Sequence, residues 1–282
     1  MLKIKHSGHM GDIVYSIPSI LKLLKKFKET EACLFIPSDK KANSHPGVKH
    51  IGEGLMFSQG MFDYIQPLLG CQGFIQDVVY GPESDIPADA IDFDIIRSGA
   101  VNISACNIID YYFKAFALVK DQPKAWIQLP LMPSVEHFDV LVGRSSRYVN
   151  KELDYQVLAD YEIKCGFVGT RQEHELFCHD FPELAISYVP TVNALETAHY
   201  IANSTVYLGN QSFFFSLAES LQHPRVLEVF EPVPNVIPSG GICAQALSTK
   251  GLILILNELL SQAVSFNAYV NRPTAFVLTN EI

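Results

Sequence analysis

Residues 2–27 read LKIKHSGHMGDIVYSIPSILKLLKKF, which is a short apolar strand, a glycine-containing loop and an amphipathic helix in direct succession. The segment from Leu2 to His6 has the composition of a first β-strand. After the loop, apolar residues recur at helical spacing and lysines occupy the other side of the helix. The apolar set is Ile13, Ile17, Ile20, Leu21, Leu24 and Phe27, and the lysines are Lys22, Lys25, Lys26 and Lys28. This order predicts a βα unit in a parallel sheet.

The same pattern of strand and helix continues along the chain. In the first part it predicts strands over 32–37, 75–80 and 91–96, and helical character over 106–119. The next segment contains prolines at intervals, at Pro123, Pro130 and Pro133. Such a segment is typical of a linker between domains. After it the pattern predicts strands over 138–142, 165–168, 186–189, 205–208 and 225–229, with helices over 171–179, 194–202, 212–221 and 245–262.

Alternating strands and helices predict an α/β fold with two Rossmann-like domains. Strands joined through helices run parallel with right-handed crossovers, and each such sheet presents the carboxyl ends of its strands to a ligand. We place the boundary near Leu131, which gives domains over 1–130 and 131–282 that face each other across a cleft. We expect the C-terminal tail to pack back on the first domain.

Composition narrows the classes of function. The chain has 282 residues, of which 48% are hydrophobic and 18% charged, and its formal net charge is −9. General nucleic-acid binders need a basic surface to neutralise phosphates, so we expect no nucleic-acid partner. The charge divides unevenly, because 1–130 carries 13 basic and 14 acidic residues whereas 131–282 carries 8 and 16. Arginines in the second half therefore stand out as candidates for contact with an anion.

The six cysteines, at positions 33, 71, 106, 165, 178 and 243, include no CxxC pair and have no disulfide-framework spacing. We interpret them as free or buried thiols in a reducing compartment. His174 and Cys178 have the spacing of metal ligands, but no third or fourth ligand has a suitable spacing, so we predict no metal site. The chain start lacks a signal-peptide core and no segment is long enough to span a bilayer. We therefore expect a cytoplasmic protein, with the inner face of the membrane as a further location.

The loop between the first strand and the first helix holds the first candidate site. Asp12 has two interpretations there, as the N-cap of the helix or as a general base at the carboxyl edge of the sheet. Gly8 and Gly11 permit close approach of a ligand, but the third glycine of a dinucleotide fingerprint is absent. A dehydrogenase is therefore disfavoured.

A second candidate site lies at the start of the helix that is predicted near residue 212. Phe214, Leu217, Ala218 and Leu221 have the spacing of a buried helix face. That face does not explain the polar cluster of residues 210–212 that precedes it. The loop over Gly209, Asn210, Gln211 and Ser212 stands at a helix N-terminus, where free N–H groups and the helix dipole favour an anion.

The two segments together resemble a known family. GDIVYSIPSIL at 11–21 resembles the GD-x5-P motif of the glycosyltransferase family 9 heptosyltransferases, which have the GT-B fold, and YLGNQSFFFSLAESL at 207–221, followed by Pro224, resembles their G-x-D-T-G-x-x-H-L-A-A-A-L block. The resemblance implies that Asp12 deprotonates an acceptor hydroxyl and that the Gly209–Ser212 loop, with Phe213, holds the diphosphate of the donor. We also expect His9, Gly11 and Tyr15 to bind the acceptor, which lies in the first domain while the nucleotide sugar lies in the second. For His9, contact with a phosphate and a structural, hydrogen-bonded role are the alternatives.

Three positions depart from the family pattern. Gln211 stands where the family has Asp, Phe213 where it has Gly, and Ser216 where it has His. These departures leave heptose open as the sugar, so the prediction is a hexosyl- or heptosyltransferase-like enzyme.

Further donor contacts are expected where strands of the second domain end. Arg144, Ser145 and Arg147 follow one strand, and their guanidinium and hydroxyl groups suit phosphate oxygens, although paired surface arginines are also common. Gly169 and Asn193 would line the donor cleft, and Asn193 is an equally good helix N-cap. Glu228 ends a strand and would accept from ribose hydroxyls, or it is a loop carboxylate.

These observations predict a metal-independent, cytoplasmic glycosyltransferase without a cofactor, whose donor substrate is a nucleotide diphosphate sugar and whose acceptor is a glycan or glycolipid, as in lipopolysaccharide biosynthesis. The lysine face of the first helix suggests peripheral contact with an anionic membrane. Two alternatives stay open, a nucleotide-sugar epimerase on the same scaffold and a catalytically degenerate binding module. Incubation of the donor alone would reveal an epimerase.

Overall fold

The first half of the chain forms a four-stranded parallel sheet. The computed structural model describes residues 1–42, 54–99, 101–102, 107–131 and 134–270, with side chains described as far as residue 261. The strands, in the order β3-β2-β1-β4, are β1 (Leu2–Lys5), β2 (Ala32–Pro37), β3 (Ile75–Gly81) and β4 (Ile91–Asp92), and the helices of this half are α1 (Met10–Phe27), α2 (Gln59–Gly70) and α3 (Ile108–Ala115).

The second half forms a six-stranded sheet that is also parallel throughout. Its strands, in the order β10-β9-β8-β5-β6-β7, are β5 (Val140–Gly143), β6 (Cys165–Phe167), β7 (Ile186–Tyr188), β8 (Val206–Gly209), β9 (Arg225–Glu228) and β10 (Cys243–Ala246). Its helices are α4 (Arg171–Asp180), α5 (Ala194–Ala202), α6 (Phe213–Ser220) and α7 (Thr249–Val270). Two parallel sheets with connecting helices confirm the predicted α/β class. The predicted boundary near Leu131 lies between α3 and β5, in a segment that belongs to neither sheet.

Several elements differ from the sequence prediction. The pattern did not reveal α2 or β10, and β10 takes the start of the helix predicted over 245–262 because it pairs with β9. The strand predicted over 91–96 is two residues long and passes into a 3-10 turn at Phe93–Arg97. The Asp92 side chain accepts from the backbone N–H of Asp94 at 2.8 Å and so favours that turn. Residue 106 and the C-terminal tail after residue 270 lie outside the described residues.

One apolar core runs through both halves. Val14 and Ile17 of α1 are fully buried and belong to the same apolar cluster as Phe215 and Leu217 of α6, because α1 and α6 pack against each other. A second contact joins α2 to the second half, where the Tyr64 hydroxyl lies 2.9 Å from the Thr191 hydroxyl and 2.6 Å from that of Thr197. Among the described residues, helices of the two halves are therefore in direct contact.

A proline in α1 and the single tryptophan of the chain complete this contact. Pro18 has no N–H to donate to the carbonyl of Val14, four residues earlier in the helix. The indole N–H of Trp126 donates to that carbonyl at 3.0 Å, and the Trp126 backbone N–H donates to Ser220 O of α6 at 2.9 Å. The segment that links the two halves is thereby hydrogen-bonded to both α1 and α6.

Candidate functional site

Asp12 lies in the first turn of α1, just beyond the carboxyl end of β1. His9 is the N-cap of α1, with φ −64° and ψ 168°, so Asp12 is the third residue of the helix and not its cap. The Asp12 Oδ2 accepts from the His9 backbone N–H at 3.1 Å. The carboxylate therefore satisfies an otherwise free donor of the first turn, as the acidic residue of a capping box does.

Arg97 holds the same carboxylate from the side of β4. Its Nη2 donates to Asp12 Oδ2 at 2.8 Å, and its Nη1 donates to Asp94 Oδ1 at 3.1 Å. The Asp12 side chain is 21% exposed. The His9 amide and Arg97 both engage Oδ2, so Asp12 is fixed in orientation while it still reaches solvent.

Asp94 in turn fixes Arg97. Its Oδ1 accepts from the Ser7 backbone N–H at 3.1 Å, and its Oδ2 accepts from the Ser7 hydroxyl. Burial works against ionisation, but the Ser7 hydrogen bonds and the neighbouring positive charges lower the pKa of Asp94 below its usual value. Sequence reasoning missed Asp94 and Arg97, because it placed this segment in a strand. The available signal was Asp92 two residues before Asp94, which is a capping pattern for a turn.

Gly8 is needed for the close packing behind Asp12. A Cβ at this position would lie 2.7 Å from both Asp12 Oδ2 and His6 Cε1. The Nδ1 of His6 accepts from the Gly8 backbone N–H at 3.0 Å, and its Nε2 lies 3.0 Å from the Tyr112 hydroxyl. Burial and the nearby Arg97 lower the pKa of His6 to about 4. His6 is therefore a neutral, hydrogen-bonded support at neutral pH.

The residues expected on the acceptor side have different surroundings. Gly11 lies against the start of α6, since a Cβ there would be 3.6 Å from the Phe213 Cα. Tyr15 is only 4% exposed, and its hydroxyl has no hydrogen-bond partner among the described residues. It thus lies in the core between the halves, and the structure does not place it on an open face for an acceptor. His9 caps α1 and is partly exposed.

The polar side chains before α6 hold loops together. Asn210 is fully buried, donates from Nδ2 to the carbonyls of Ser145 (2.8 Å) and Arg147 (2.6 Å), and accepts from the Ser145 N–H at 3.1 Å. Gln211 donates to Val233 O at 2.6 Å and accepts from the Phe230 N–H at 3.2 Å. These contacts fasten the loops that follow β5 and β9. The two amide groups are therefore used within the protein, which explains why polar residues precede an apolar helix.

The rest of this loop forms the turn from β8 into α6. Ser212 is the N-cap of α6, and the Phe213 ring meets the edge of Tyr64 at 6.2 Å between centroids. A Cβ on Gly209 would lie 2.4 Å from the Gly143 carbonyl oxygen and 2.7 Å from the Tyr207 hydroxyl. Gly209 is thus required by packing inside the protein.

Arg144 and Glu228 form a buried ion pair. Arg144 donates to Glu228 through Nε at 2.8 Å and Nη2 at 3.1 Å, and the carboxylate also accepts from the Tyr155 hydroxyl at 2.8 Å and the Asn150 N–H at 2.6 Å. Glu228 has no exposed surface and Arg144 is 8% exposed. The predicted contacts of Arg144 with a diphosphate and of Glu228 with a ribose do not match this geometry, in which the two residues bind each other.

Arg147 differs from Arg144, because its guanidinium forms no ion pair with any described residue. It lies 5.6 Å from the centroid of the Tyr148 ring, and its Nε is buried without a hydrogen-bond partner within the described ranges. The Ser145 hydroxyl donates to the Arg147 carbonyl at 3.3 Å. Of the two arginines in this loop, Arg147 is the one whose charge is available to a ligand.

The remaining candidates lie in loops after β6 and β7. Asn193 is the N-cap of α5, and its Oδ1 accepts from the Glu196 N–H at 2.9 Å. The Gly169 carbonyl accepts from the Tyr188 hydroxyl at 3.2 Å. The structure thus shows a capping role for Asn193.

Neither a metal cluster nor a membrane span is found in the described part of the chain. Those residues include no group of three or more His, Cys, Asp and Glu side chains suited to a metal ion. None of the helices described is long and apolar enough to cross a membrane.

We predict that Glu228→Ala lowers the free energy of unfolding by about 3–5 kcal/mol, because it leaves the buried Arg144 charge unpaired. Urea unfolding measures this. Glu231→Ala, which removes an exposed carboxylate from the following loop, is the control and should stay within about 0.5 kcal/mol of the parent. A loss of less than about 1 kcal/mol for Glu228→Ala would show that the pair is not buried as described.

We also predict that His6 makes stability depend on pH. The unfolded chain binds a proton at His6 near pH 6.5, whereas the folded protein does so near pH 4, so stability falls as the pH drops between these values. When the pH is lowered from about 7.5 to about 5, the free energy of unfolding of His6→Gln should therefore fall by about 2 kcal/mol less than that of the parent. Urea unfolding at the two pH values measures this difference. His179→Gln, at an exposed histidine, should show the same dependence of the free energy of unfolding on pH as the parent. Equal slopes for parent and His6→Gln would contradict the prediction.

Comparison with known proteins gives similarity at the level of structure alone. No family model matches the chain, and no curated protein matches it in sequence. The Escherichia coli heptosyltransferase WaaC with ADP is 11% identical with a TM-score of 0.60, over 92% of this chain and 99% of that one. A glycosyltransferase family 9 structure from Veillonella parvula is 10% identical with a TM-score of 0.62, over 93% and 97%.

A third solved structure, the iron-containing dodecameric glycosyltransferase TibC from enterotoxigenic E. coli, is 11% identical with a TM-score of 0.58, over 93% of this chain and 76% of that one. At such low identity the similarity concerns the fold. Together with the two parallel sheets, it confirms that this chain has the GT-B fold of these glycosyltransferases.

Proposed function

We propose that this protein is a glycosyltransferase that moves a sugar from a nucleotide diphosphate sugar to a hydroxyl acceptor, in the synthesis of a surface glycan or lipopolysaccharide-type molecule. The observation that carries the proposal is the position of Asp12, fixed by Arg97 and partly exposed, next to a helix start. A Cβ on Gly11 would lie 3.6 Å from the Phe213 Cα, so the first turn of α1, which carries Asp12, adjoins the N-terminus of α6. The fold shared with WaaC, whose structure contains ADP, supports the same conclusion.

Asp12 acts as the general base in this mechanism. Arg97 and the His9 amide occupy Oδ2, so we assign Oδ1 to accept the proton of the acceptor hydroxyl. The hydroxyl oxygen then forms a bond to the anomeric carbon of the donor sugar while the bond from that carbon to the diphosphate breaks. Asp94 and Ser7 contribute indirectly, because they hold the guanidinium that orients the base.

The diphosphate leaving group needs donors that are already in place as its charge develops. The free N–H groups in the first turn of α6 supply some of them, and the unpaired guanidinium of Arg147 supplies another. Arg144 is not needed for this purpose, since Glu228 already neutralises it. Gln211 and Phe213 stand where the resembling family has Asp and Gly, so the identity of the sugar stays open.

We further propose that transfer needs no metal ion, because the positive groups just named lie on the protein itself. The expected result is unchanged turnover after treatment with EDTA. Loss of turnover that a divalent ion or iron restores would overturn this proposal. The test is informative because TibC, which shares the fold, is described as containing iron.

Asp12→Asn tests the proposed function directly. A thermal-shift panel of ADP, UDP, GDP, CDP and dTDP identifies the nucleotide, since a ligand at about 100 times its Kd adds roughly 2.7 kcal/mol to stability. With the matching nucleotide sugar, Asp12→Asn should lower turnover about 10²- to 10⁴-fold and leave nucleotide affinity unchanged. Asp85→Asn, at an exposed aspartate of the same half, is the matched control and should keep parental turnover.

Arg147→Ala should give the complementary result, a weaker affinity for nucleotide with little change in stability, and Lys151→Ala should change neither. Undiminished transfer by Asp12→Asn would exclude it as the base. Binding of nucleotide without any transfer would identify a binding module, and conversion of donor without acceptor would identify an epimerase.

A further inference from the structure

A cavity of about 340 Å³ lies where α1, α3 and the linker between the two halves meet. Apolar residues from all three segments line it, together with Ser239 from the second half. The apolar residues include Pro18, Leu21, Ile109, Phe113, Pro123 and Trp126. This volume is within the range of small-molecule sites, which are mostly apolar with a few polar groups at fixed positions.

The rim of this cavity is strongly basic. Lys22, Lys25, Lys120 and Lys124 line it, against the single carboxylate of Asp121. Lys22 pairs with Asp121 at 2.6 Å, and Lys120 pairs with Asp110 at 2.5 Å.

Two of these lysines keep their charge available. Lys25 and Lys124 are exposed and form no ion pair among the residues that the structure describes. Together with the hydrogen bond from Lys22, their charges lower the pKa of the Asp121 carboxyl. A surplus of positive charge beside an apolar cavity is unexpected in a chain with a net charge of −9. It complements a ligand that is apolar at one end and anionic at the other.

The cavity is separate from the Asp12 site. Asp12 is in the first turn of α1 and Lys25 in the last, and a helix rises 1.5 Å per residue, so about 20 Å separates them along the axis. Lys25 and the Asp12 carboxylate therefore lie at opposite ends of α1.

We propose that this cavity binds a small anionic amphiphile, that is, an alkyl chain that ends in a phosphate or carboxylate. The alkyl chain lies against Trp126, Phe113 and Leu21, and the anionic group lies between Lys25 and Lys124. The proposal does not depend on the proposed function. A free amphiphile and a lipid of an anionic membrane both have this chemistry, and the experiment with vesicles distinguishes between them.

Trp126 is the only tryptophan of the chain and lines this cavity, so tryptophan emission reports on the surroundings of this one side chain. Titration with decyl phosphate below its micelle concentration should give a saturable change in emission. Inorganic phosphate, which lacks the alkyl chain, and an uncharged decyl maltoside, which lacks the anion, should each bind at least about tenfold more weakly. Equal binding of inorganic phosphate, or no change in Trp126 emission with decyl phosphate, would overturn the proposal.

Charge reversal at the rim tests the position of the anionic group. The double variant Lys25→Glu/Lys124→Glu should weaken decyl phosphate binding by about tenfold or more, since it places two like charges beside the ligand. The matched control, Lys26→Glu/Lys151→Glu, makes the same change in net charge at exposed lysines that do not line the cavity, and should stay within about twofold. Circular dichroism confirms that both variants are folded. Equal affinities of the two variants would overturn the proposal.

Vesicles with and without phosphatidylglycerol separate the two sources. If the ligand is a membrane lipid, the parent and the control sediment with the anionic vesicles and change Trp126 emission, while the rim variant does neither. If it is a free amphiphile, decyl phosphate binds but the vesicles leave the emission unchanged. Sedimentation of the parent and the rim variant alike, without binding of free decyl phosphate, would show only general surface attraction and would overturn the cavity as the site.

Discussion

The packing of α1 against α6 is the contact on which the rest of this structure depends. Each helix begins where a central strand of its own sheet ends, so the pair brings the carboxyl ends of β1 and β8 together. The start of α1 lies close to the start of α6, since a Cβ on Gly11 would be in ordinary contact with the Phe213 Cα, at 3.6 Å. Pro18 frees the Val14 carbonyl, which Trp126 then binds, so the linker reinforces the same contact. The position of Asp12 follows from this arrangement.

Burial decides which charged groups are available for chemistry. Arg144 with Glu228, and Arg225 with Glu219, are buried pairs in which each charge neutralises the other. A buried charge without a partner is costly, so the groups of such a pair stay bound to each other and are not free to bind a ligand. Among the described arginines of the acidic second half, this leaves Arg147 and Arg171 without an ion pair, and of these Arg147 lies in the loop that Asn210 binds before α6. In the first half, Arg97 combines both roles, because it is ion-paired yet orients a partly exposed carboxylate.

Local patterns in the sequence predicted the elements that have strong periodicity. The apolar stripe of α1 and the alternation over β5 to β9 are such patterns, because each element buries one face or both faces against a neighbour. The prediction failed for β4, where a capping aspartate, Asp92, turns the chain after two residues. It also missed α2, which has Pro67 within it and is buried mainly at Ile65, Leu68 and Leu69. In both β4 and α2, too few residues are buried to give the sequence a clear hydrophobic period.

The sequence by itself determined the class of fold and the positions of the two segments that begin α1 and α6, because strands and helices have their own periods and caps. Tertiary structure alone decided which polar side chains remain free. Asn210 binds a loop 65 residues earlier, Arg144 pairs with Glu228 across 84 residues, and Arg97 reaches Asp12 across 85. Such partners are neighbours only after the sheets have formed. Hydrogen bonding and burial then determine whether each candidate side chain supports the fold or is free to contact a ligand.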